Sequence, residues 1–413
     1  MAVVRPFKAI RPDRKAAAEV CALPYDVMSR EEAADMAAGN PRSFLHISRA
    51  EIDLPEQPDP YDPSVYRKAA DNLEAFLQQG ILHQDPKAML YIYRQTMNGN
   101  VQTGIVGCVS VDDYRSNVIK KHEFTRVEKE RDRIRHFDVC NADTEPVFLT
   151  YRSDAKIDVL VEGVISSREP EYDFVTDDGV GHTLWAITDD NVIAGLCGLF
   201  DAIPALYIAD GHHRSASACK VGLKRREEHP DYDGSEEFNY FMAVIFPDRD
   251  LRVFDYNRVV RDLNGLTPDA FLQRVQQAGF AVEAMGTEAY RPAARHEFGL
   301  FLGDTWYRLT ASAEIIPDHI IDSLDVAVLQ NSLLGPILGI EDPRTDPRID
   351  FVGGIRGLGE LERRVHDDMA VAFAVHPVEI TDLMNVADHN EVMPPKSTWF
   401  EPKLGSGLFI HRL

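Results

Sequence analysis

Apolar and polar positions along this chain follow two periods, 3.6 and 2, and the switches between them set the predicted elements. Ser29-Arg30-Glu31-Glu32 has the form of a capping box that opens a helix, with Ser29 at the N-cap and Glu32 at N3. Residues 65–79, VYRKAADNLEAFLQQ, carry helical periodicity and stop at Gly80. Residues 89–96 and 101–111 read as strands around Asn98-Gly99-Asn100, a hairpin turn. The run 126–138, RVEKERDRIRHFD, predicts a highly charged helix, mostly a solvated face with i,i+4 pairs. Strands follow at 146–151 and 205–209, the second passing through a glycine into a helix that runs to about Leu223. Residues 241–246 and 251–256 read as paired strands. Beyond them come a helix at 268–278, strands at 280–284, 298–302 and 306–310, and a helix at 325–334. The tail predicts a strand at 369–375 and a helix at 380–387.

Strands and helices interleave without the regular βαβ beat of a doubly wound sheet, which predicts a mixed-sheet α+β architecture. Three blocks are expected: an N-terminal α/β block over 1–115, a core over 116–260, and a C-terminal α/β lobe over 261–413. Proline-rich joints at Leu54-Pro55 and Pro58-Asp59-Pro60 punctuate the first. The chain has 413 residues, 44% of them hydrophobic, which excludes wholesale disorder. With 44 Lys+Arg against 67 Asp+Glu, the net charge of −23 argues against a nucleic-acid partner held by a broad basic face. A local pocket for a small anion needs only a few residues and is compatible with that charge. Cys21, Cys108, Cys140, Cys197 and Cys219 form no CxxC pair, so zinc-ribbon and thioredoxin readings fail and reduced thiols are expected. The N-terminal MAVVRPFKAIRPDRK lacks an apolar signal core, and no segment approaches 18 uncharged apolar residues. The expectation is a cytoplasmic protein with no membrane partner.

Three segments carry chemistry. In Ile208-Ala209-Asp210-Gly211-His212-His213-Arg214 an apolar strand meets a glycine turn and a helix start, where unpaired N–H groups and the positive dipole end suit an anion. Two imidazoles and a guanidinium add donors for phosphate oxygens. The same pattern also describes an ordinary joint with Asp210 as the N-cap. A metal site on His212 and His213 is disfavoured, because neighbours on a helix point in different directions. In Lys120-Lys121-His122-Glu123 a carboxylate sits beside cations that keep it ionised and able to accept a proton. A zincin would need histidine where Arg126 stands, and the plainer alternative is a helix N-terminal acid. In Pro394-Pro395-Lys396-Ser397-Thr398 a stiff loop offers an ammonium and two hydroxyls, suited to a phosphorylated or zwitterionic ligand, or serves as a plain connector. Gly353-Gly354-Ile355-Arg356-Gly357-Leu358-Gly359 lacks the GxGxxG order and reads as a strand exit.

These three segments, in this order, resemble the free serine kinase (SerK) family, whose core has a ParB/sulfiredoxin-like fold. The whole chain further resembles a large bacterial family of about this length known as a domain of unknown function. Its hallmarks stand here as Pro24-Tyr25-Asp26-Val27, Arg42-Ser43-Phe44-Leu45-His46 and the DGHHR and PPKST segments. The likeness to the kinases covers mainly residues 115–400. It implies phosphoryl transfer from ATP or ADP to the hydroxyl of free L-serine, giving O-phosphoserine. Glu123 would take the hydroxyl proton, and Asp210, Gly211, His212, His213 and Arg214 would hold the nucleotide phosphates. His122, Lys396, Ser397 and Thr398 would face phosphate and substrate, and Asp210 is the natural ligand for Mg²⁺. Departures are Trp399-Phe400, where a basic residue would suit a substrate carboxylate, and the long N-terminal block. The rival implied by the same fold is a non-enzymatic ParB-like nucleotide-binding regulator, which needs no base such as Glu123.

Overall fold

In the computed structural model, which describes residues 1–55 and 59–413, strands Leu90–Met97 and Asn100–Ser110 meet at a two-residue turn. Asn98 and Gly99 take φ of 50° and 77° there, the left-handed pair that a type I′ hairpin requires. Pro58, in the second proline-rich joint, lies outside the described residues. Among the described residues the hairpin belongs to a mixed sheet of nine strands. Its order is Ile119–Lys120, Leu206–Asp210, Val147–Tyr151, Tyr240–Pro247, Asn100–Ser110, Leu90–Met97, Gly181–Ile187 and Tyr172–Val175, with Val4–Arg5 also pairing Asn100–Ser110. Two neighbouring pairs are parallel, Ile119–Lys120 with Leu206–Asp210 and Val147–Tyr151 with Tyr240–Pro247. The architecture is α+β, as the interleaving of periods predicts.

The chain forms two compact units, Met1–Leu251 with Pro402–Leu413, and Arg252–Glu401. The expected division at residue 115 does not mark a unit boundary, because strands from both sides of it pair in the one sheet. The first unit buries one large apolar cluster that includes Ile92, Ile105, Leu149, Ile208, Phe241 and Val221. A second cluster joins Phe44, Ile47, Leu73 and Phe76 to Ile410. The helices at Arg30–Ala37, with its full capping box on Ser29, and Pro63–Gln78 form where the sequence places them.

Two expectations are corrected. Residues 241–246 and 251–256 do not pair with each other. Tyr240–Pro247 already has both edges occupied, by Asn100–Ser110 and Val147–Tyr151, so no edge remains for a returning strand. Val253–Phe254 pairs instead with Trp399–Phe400, and Tyr256–Val260 joins the sheet of the second unit. The charged helix, Val127–Cys140, is also not mainly a solvated face: Glu130, Asp132, Arg133 and His136 are buried. Each charge among them is met locally. Glu130 accepts from Thr125 Oγ1 at 2.8 Å and pairs with Lys220, Asp132 pairs with Arg133 at 2.8 Å, and Arg133 stacks on the Tyr25 ring at 3.8 Å. Paired in this way, charges can leave water without standing isolated.

The second unit is a six-stranded antiparallel sheet in the order Phe280–Gly286, Thr305–Ala311, Glu297–Leu302, Val371–Val375, Tyr256–Val260, Ile349–Gly353. Helices Pro268–Gln277, Leu358–Asp367 and Ile380–Asp388 accompany it, and the helix that opens at Asp325 changes from α to π winding at Gln330.

The helix His212–Glu228 is placed by close packing at Gly222, where a Cβ would lie 2.4 Å from the Phe238 carbonyl oxygen. Replacing a helical glycine by alanine ordinarily stabilises by about 1 kcal/mol. Gly222→Ala is expected to do the reverse, destabilising by about 1–3 kcal/mol in a denaturant titration of the full chain. An unchanged or higher midpoint would refute this.

Candidate functional site

Strands Ile119–Lys120 and Leu206–Asp210 run parallel, with Leu206 opposite Ile119 and Tyr207 opposite Lys120. The segments that follow both strands therefore leave from the same end, and Lys121-His122-Glu123 comes to lie beside the start of helix His212–Glu228. This brings together two motifs about ninety positions apart in sequence.

Gly211 is the N-cap, with φ 92° and ψ 33°, so the helix cap is the glycine and not Asp210. The turn into the helix requires that left-handed backbone, which glycine adopts without penalty. Glycine supplies no side-chain acceptor, so the N–H groups of His212, His213 and Arg214 stand at the positive end of the helix as donors for an anion. Asp210 ends the strand, and its Oδ1 accepts the Gly211 N–H at 2.8 Å. Its Oδ2 faces Lys403 Nζ at 3.4 Å and Arg214 Nη2 at 3.7 Å. Loss of hydration works against ionisation of this carboxyl, but the Lys403 and Arg214 charges outweigh it and hold the group well below the usual carboxylate range.

Arg214 differs from the sequence expectation. Its side chain is 3% exposed, lies under Gly211, and donates from Nη1 to the Pro146 carbonyl at 2.6 Å. It faces inward as a counter-charge to Asp210, with Asp26 and Glu145 as further anionic neighbours. Glu145 is buried, and accepts from the Tyr25 N–H at 3.1 Å and from Ser406 Oγ at 2.9 Å.

The imidazoles of His122 and His212 meet edge to face, with ring centroids 4.4 Å apart. Burial pushes the His122 pKa down to about 4 and that of His212 well below its ordinary value, so both are neutral near pH 7. The His122 N–H lies 3.5 Å from His212 Nε2, which favours the tautomer with hydrogen on Nδ1. That Nδ1 is 3.9 Å from Glu123 Oε2, and the Glu123 side chain is 45% exposed. His213 turns elsewhere. Its pKa is lowered by burial, and its charged neighbours are Asp26, Arg126, Glu130 and Arg214. A small cavity of about 160 Å³ in the same unit is lined by Tyr25, Asp26, Lys129 and Arg133.

Lys396, Ser397 and Thr398 belong to the second unit. Lys396 takes φ 58°, uncommon for a residue with a Cβ, and its Nζ lies over the Tyr256 ring at 5.4 Å. Ser397 is buried and its Oγ donates to the Pro394 carbonyl at 2.6 Å, so this hydroxyl closes the turn. Thr398 is half-buried.

Asp210 does not fit a magnesium ligand. One oxygen takes an N–H and the other faces two cations, which would repel a divalent ion. No group of three or more His, Cys, Asp or Glu that could hold a metal occurs among the described residues. Sequence reasoning missed Lys403, Glu145 and Arg133. Lys403 carries no local signal, since its partner is 193 positions away. For Arg133 the signal, a Tyr25 hallmark with no partner assigned, was present.

A family model described as "Protein of unknown function (DUF1015)" matches residues 4–327, a span that includes Pro24–Val27, Arg42–His46 and Asp210–Arg214. No match is found among curated proteins. Among solved structures, a point mutant of free serine kinase in complex with AMP aligns at 16% identity over 74% of this chain and 92% of that chain, with a TM-score of 0.37. Another free serine kinase mutant, in complex with ADP, aligns at 15% identity over the same shares, with a TM-score of 0.36. SbnI with a C-terminal truncation, from Staphylococcus aureus, aligns at 11% identity over 74% of this chain and 87% of that chain, with a TM-score of 0.41. These are partial overlaps.

Arg214→Ala removes the more deeply buried of the two cations facing Asp210, which is also a counter-charge to Glu145, and is expected to destabilise the fold by about 3 kcal/mol in a denaturant titration. Wild-type stability with weakened nucleotide binding would make Arg214 a ligand group instead. The imidazoles predict a pH effect. A histidine whose folded pKa lies below its unfolded value stabilises the fold above that unfolded value, and the contribution is lost as pH falls toward the folded one. Stability should therefore decline between about pH 6.5 and 4, and His122→Gln should make the decline shallower. A melting-temperature profile with the same slope in both proteins would refute this.

Proposed function

The chain belongs to the DUF1015 family, and we propose that it is a nucleotide-dependent phosphotransferase acting on the hydroxyl of a small molecule. One observation carries the reading: the exposed Glu123 carboxylate, 3.9 Å from His212, stands at the first turn of a helix whose N–H groups await an anion. Phosphoryl transfer asks for positioning and charge stabilisation more than for covalent help. The N–H groups of His212, His213 and Arg214 and the helix dipole supply that stabilisation to the nucleotide phosphates. Neutral His212, with hydrogen on Nδ1, orients Glu123 without adding a charge. The acceptor hydroxyl oxygen attacks the terminal phosphorus, its proton passes to Glu123, and the bond from phosphorus to the bridging oxygen breaks, releasing the shortened nucleotide.

The finer assignment follows the sequence resemblance: free L-serine as acceptor, O-phosphoserine as product, ATP or ADP as donor. The resemblance alone gives Lys396 and Thr398 a part in the same reaction. The rival reading, a nucleotide-binding regulator, leaves Glu123 without a purpose.

The test is ³¹P NMR of the purified full chain with magnesium and ATP or ADP, and with L-serine, L-threonine or L-homoserine. Formation of a phosphomonoester is expected. Glu123→Gln keeps shape but removes the basic oxygen, and should lower kcat by about 10²-fold or more with nucleotide affinity nearly unchanged. Wild-type protein that binds nucleotide but phosphorylates no hydroxyl compound would refute the enzyme reading in favour of the regulator.

A further inference from the structure

Strand Tyr256–Val260 lies between Val371–Val375 and Ile349–Gly353 and is buried along its whole length, yet its middle residue is an arginine. Arg258 is 4% exposed. Its Nη2 donates to the Lys396 carbonyl at 3.1 Å, its Nη1 donates to the Tyr256 carbonyl, and the guanidinium lies over the Phe351 ring at 5.4 Å. Among the described residues no carboxylate pairs with it, and burial pulls its pKa down to about 10. A buried guanidinium met only by carbonyls is costly, because dipoles compensate a full charge poorly. The turn that holds the Lys396 carbonyl against it has the uncommon φ of 58°, and such strain collects at ligand sites.

Arg258 opens onto a cavity of about 390 Å³ within the second unit, lined on its apolar side by Phe351 and Pro395. That volume lies in the range of small-molecule pockets. Glu341, Asp342 and Arg344 also line it. Asp342 and Arg344 neutralise each other through contacts of 2.9 Å and 2.8 Å. Gln330, where the helix changes to π winding, donates to the Ile340 carbonyl at 2.7 Å and fixes the loop that carries them. Segments of π-helix are frequent at functional sites. The charges left over are the Arg258 cation inside and the exposed Glu341 anion. That pair complements a molecule with one charge of each sign. A phosphate dianion would find no excess of cations, since Arg258 and Arg344 stand with Glu341 and Asp342.

We propose that this cavity binds a free α-amino acid, with the carboxylate on the Arg258 guanidinium and the ammonium on Glu341. The pairing uses the planar fork of arginine, whose geometry matches a carboxylate. The site stands whether or not the first unit transfers phosphate.

The test is isothermal titration of the full chain, without nucleotide, against the free L-amino acids, then against the carboxamide and N-acetyl derivatives of the binder and against inorganic phosphate. At least one amino acid is expected to bind, and each derivative about tenfold or more weaker. Arg258→Gln should abolish binding, and Glu341→Gln should weaken it about tenfold. If Arg258→Gln fails to fold by circular dichroism, the exposed Glu341→Gln decides. No binding by any amino acid, phosphate bound as tightly as the amino acid, or wild-type affinity in Glu341→Gln would each overturn the proposal. The result is separable from the phosphotransfer test, which reads product formation.

Discussion

A guanidinium taken out of water must have its charge met, and Arg214 is a buried cation on which distant segments of the first unit converge. The anions that meet it come from separate parts of the chain: Asp210 from the end of a strand, Glu145 from just before Val147–Tyr151, and Asp26 from the N-terminal segment. Glu145 in turn holds the Tyr25 N–H and the Ser406 hydroxyl. One buried charge thereby ties the N-terminal hallmark, the central strands and the last residues into a single unit. The same arrangement sets the Arg214 side chain inward beneath the Gly211 cap at the helix start.

What could be read from the sequence was local. The capping box at Ser29, the Asn98-Gly99 hairpin and the strand–glycine–helix joint at Asp210-Gly211 are fixed by residues within a few positions of one another, and each forms as expected. What could not be read depends on partners far along the chain. The pairing of Val253–Phe254 with Trp399–Phe400 spans nearly the whole second unit, and only the two occupied edges of Tyr240–Pro247 explain why the nearer pairing fails. Within the candidate site, Glu123 and the DGHHR loop were each legible as candidates. Their meeting was not, because it rests on a parallel pairing of two residues on each side. The inward turn of Arg214 was hidden for the same reason, since a motif lists donors but not the directions they face.

The two units handle buried cations differently. Arg133 and Arg214 are matched by carboxylates, so their charge serves the fold. Among the described residues Arg258 has only carbonyls and an aromatic face. Where a protein balances most of its buried charges and leaves one unmatched beside a cavity, the unmatched one marks the place where an outside molecule completes the balance.

The 193-residue separation of Lys403 from Asp210 also has a consequence for biosynthesis. At about 5–20 residues per second, the ribosome adds Lys403 roughly 10–40 s after Asp210. Throughout that interval Asp210 lacks one of its two cations and Glu145 lacks the Ser406 hydroxyl. The strand Ala142–Asp143 likewise waits for His411–Arg412 to close beside it. The nascent first unit is therefore held incomplete while the whole second unit is translated, and the contacts of Asp210 and Glu145 are completed only when the Pro402–Leu413 segment returns.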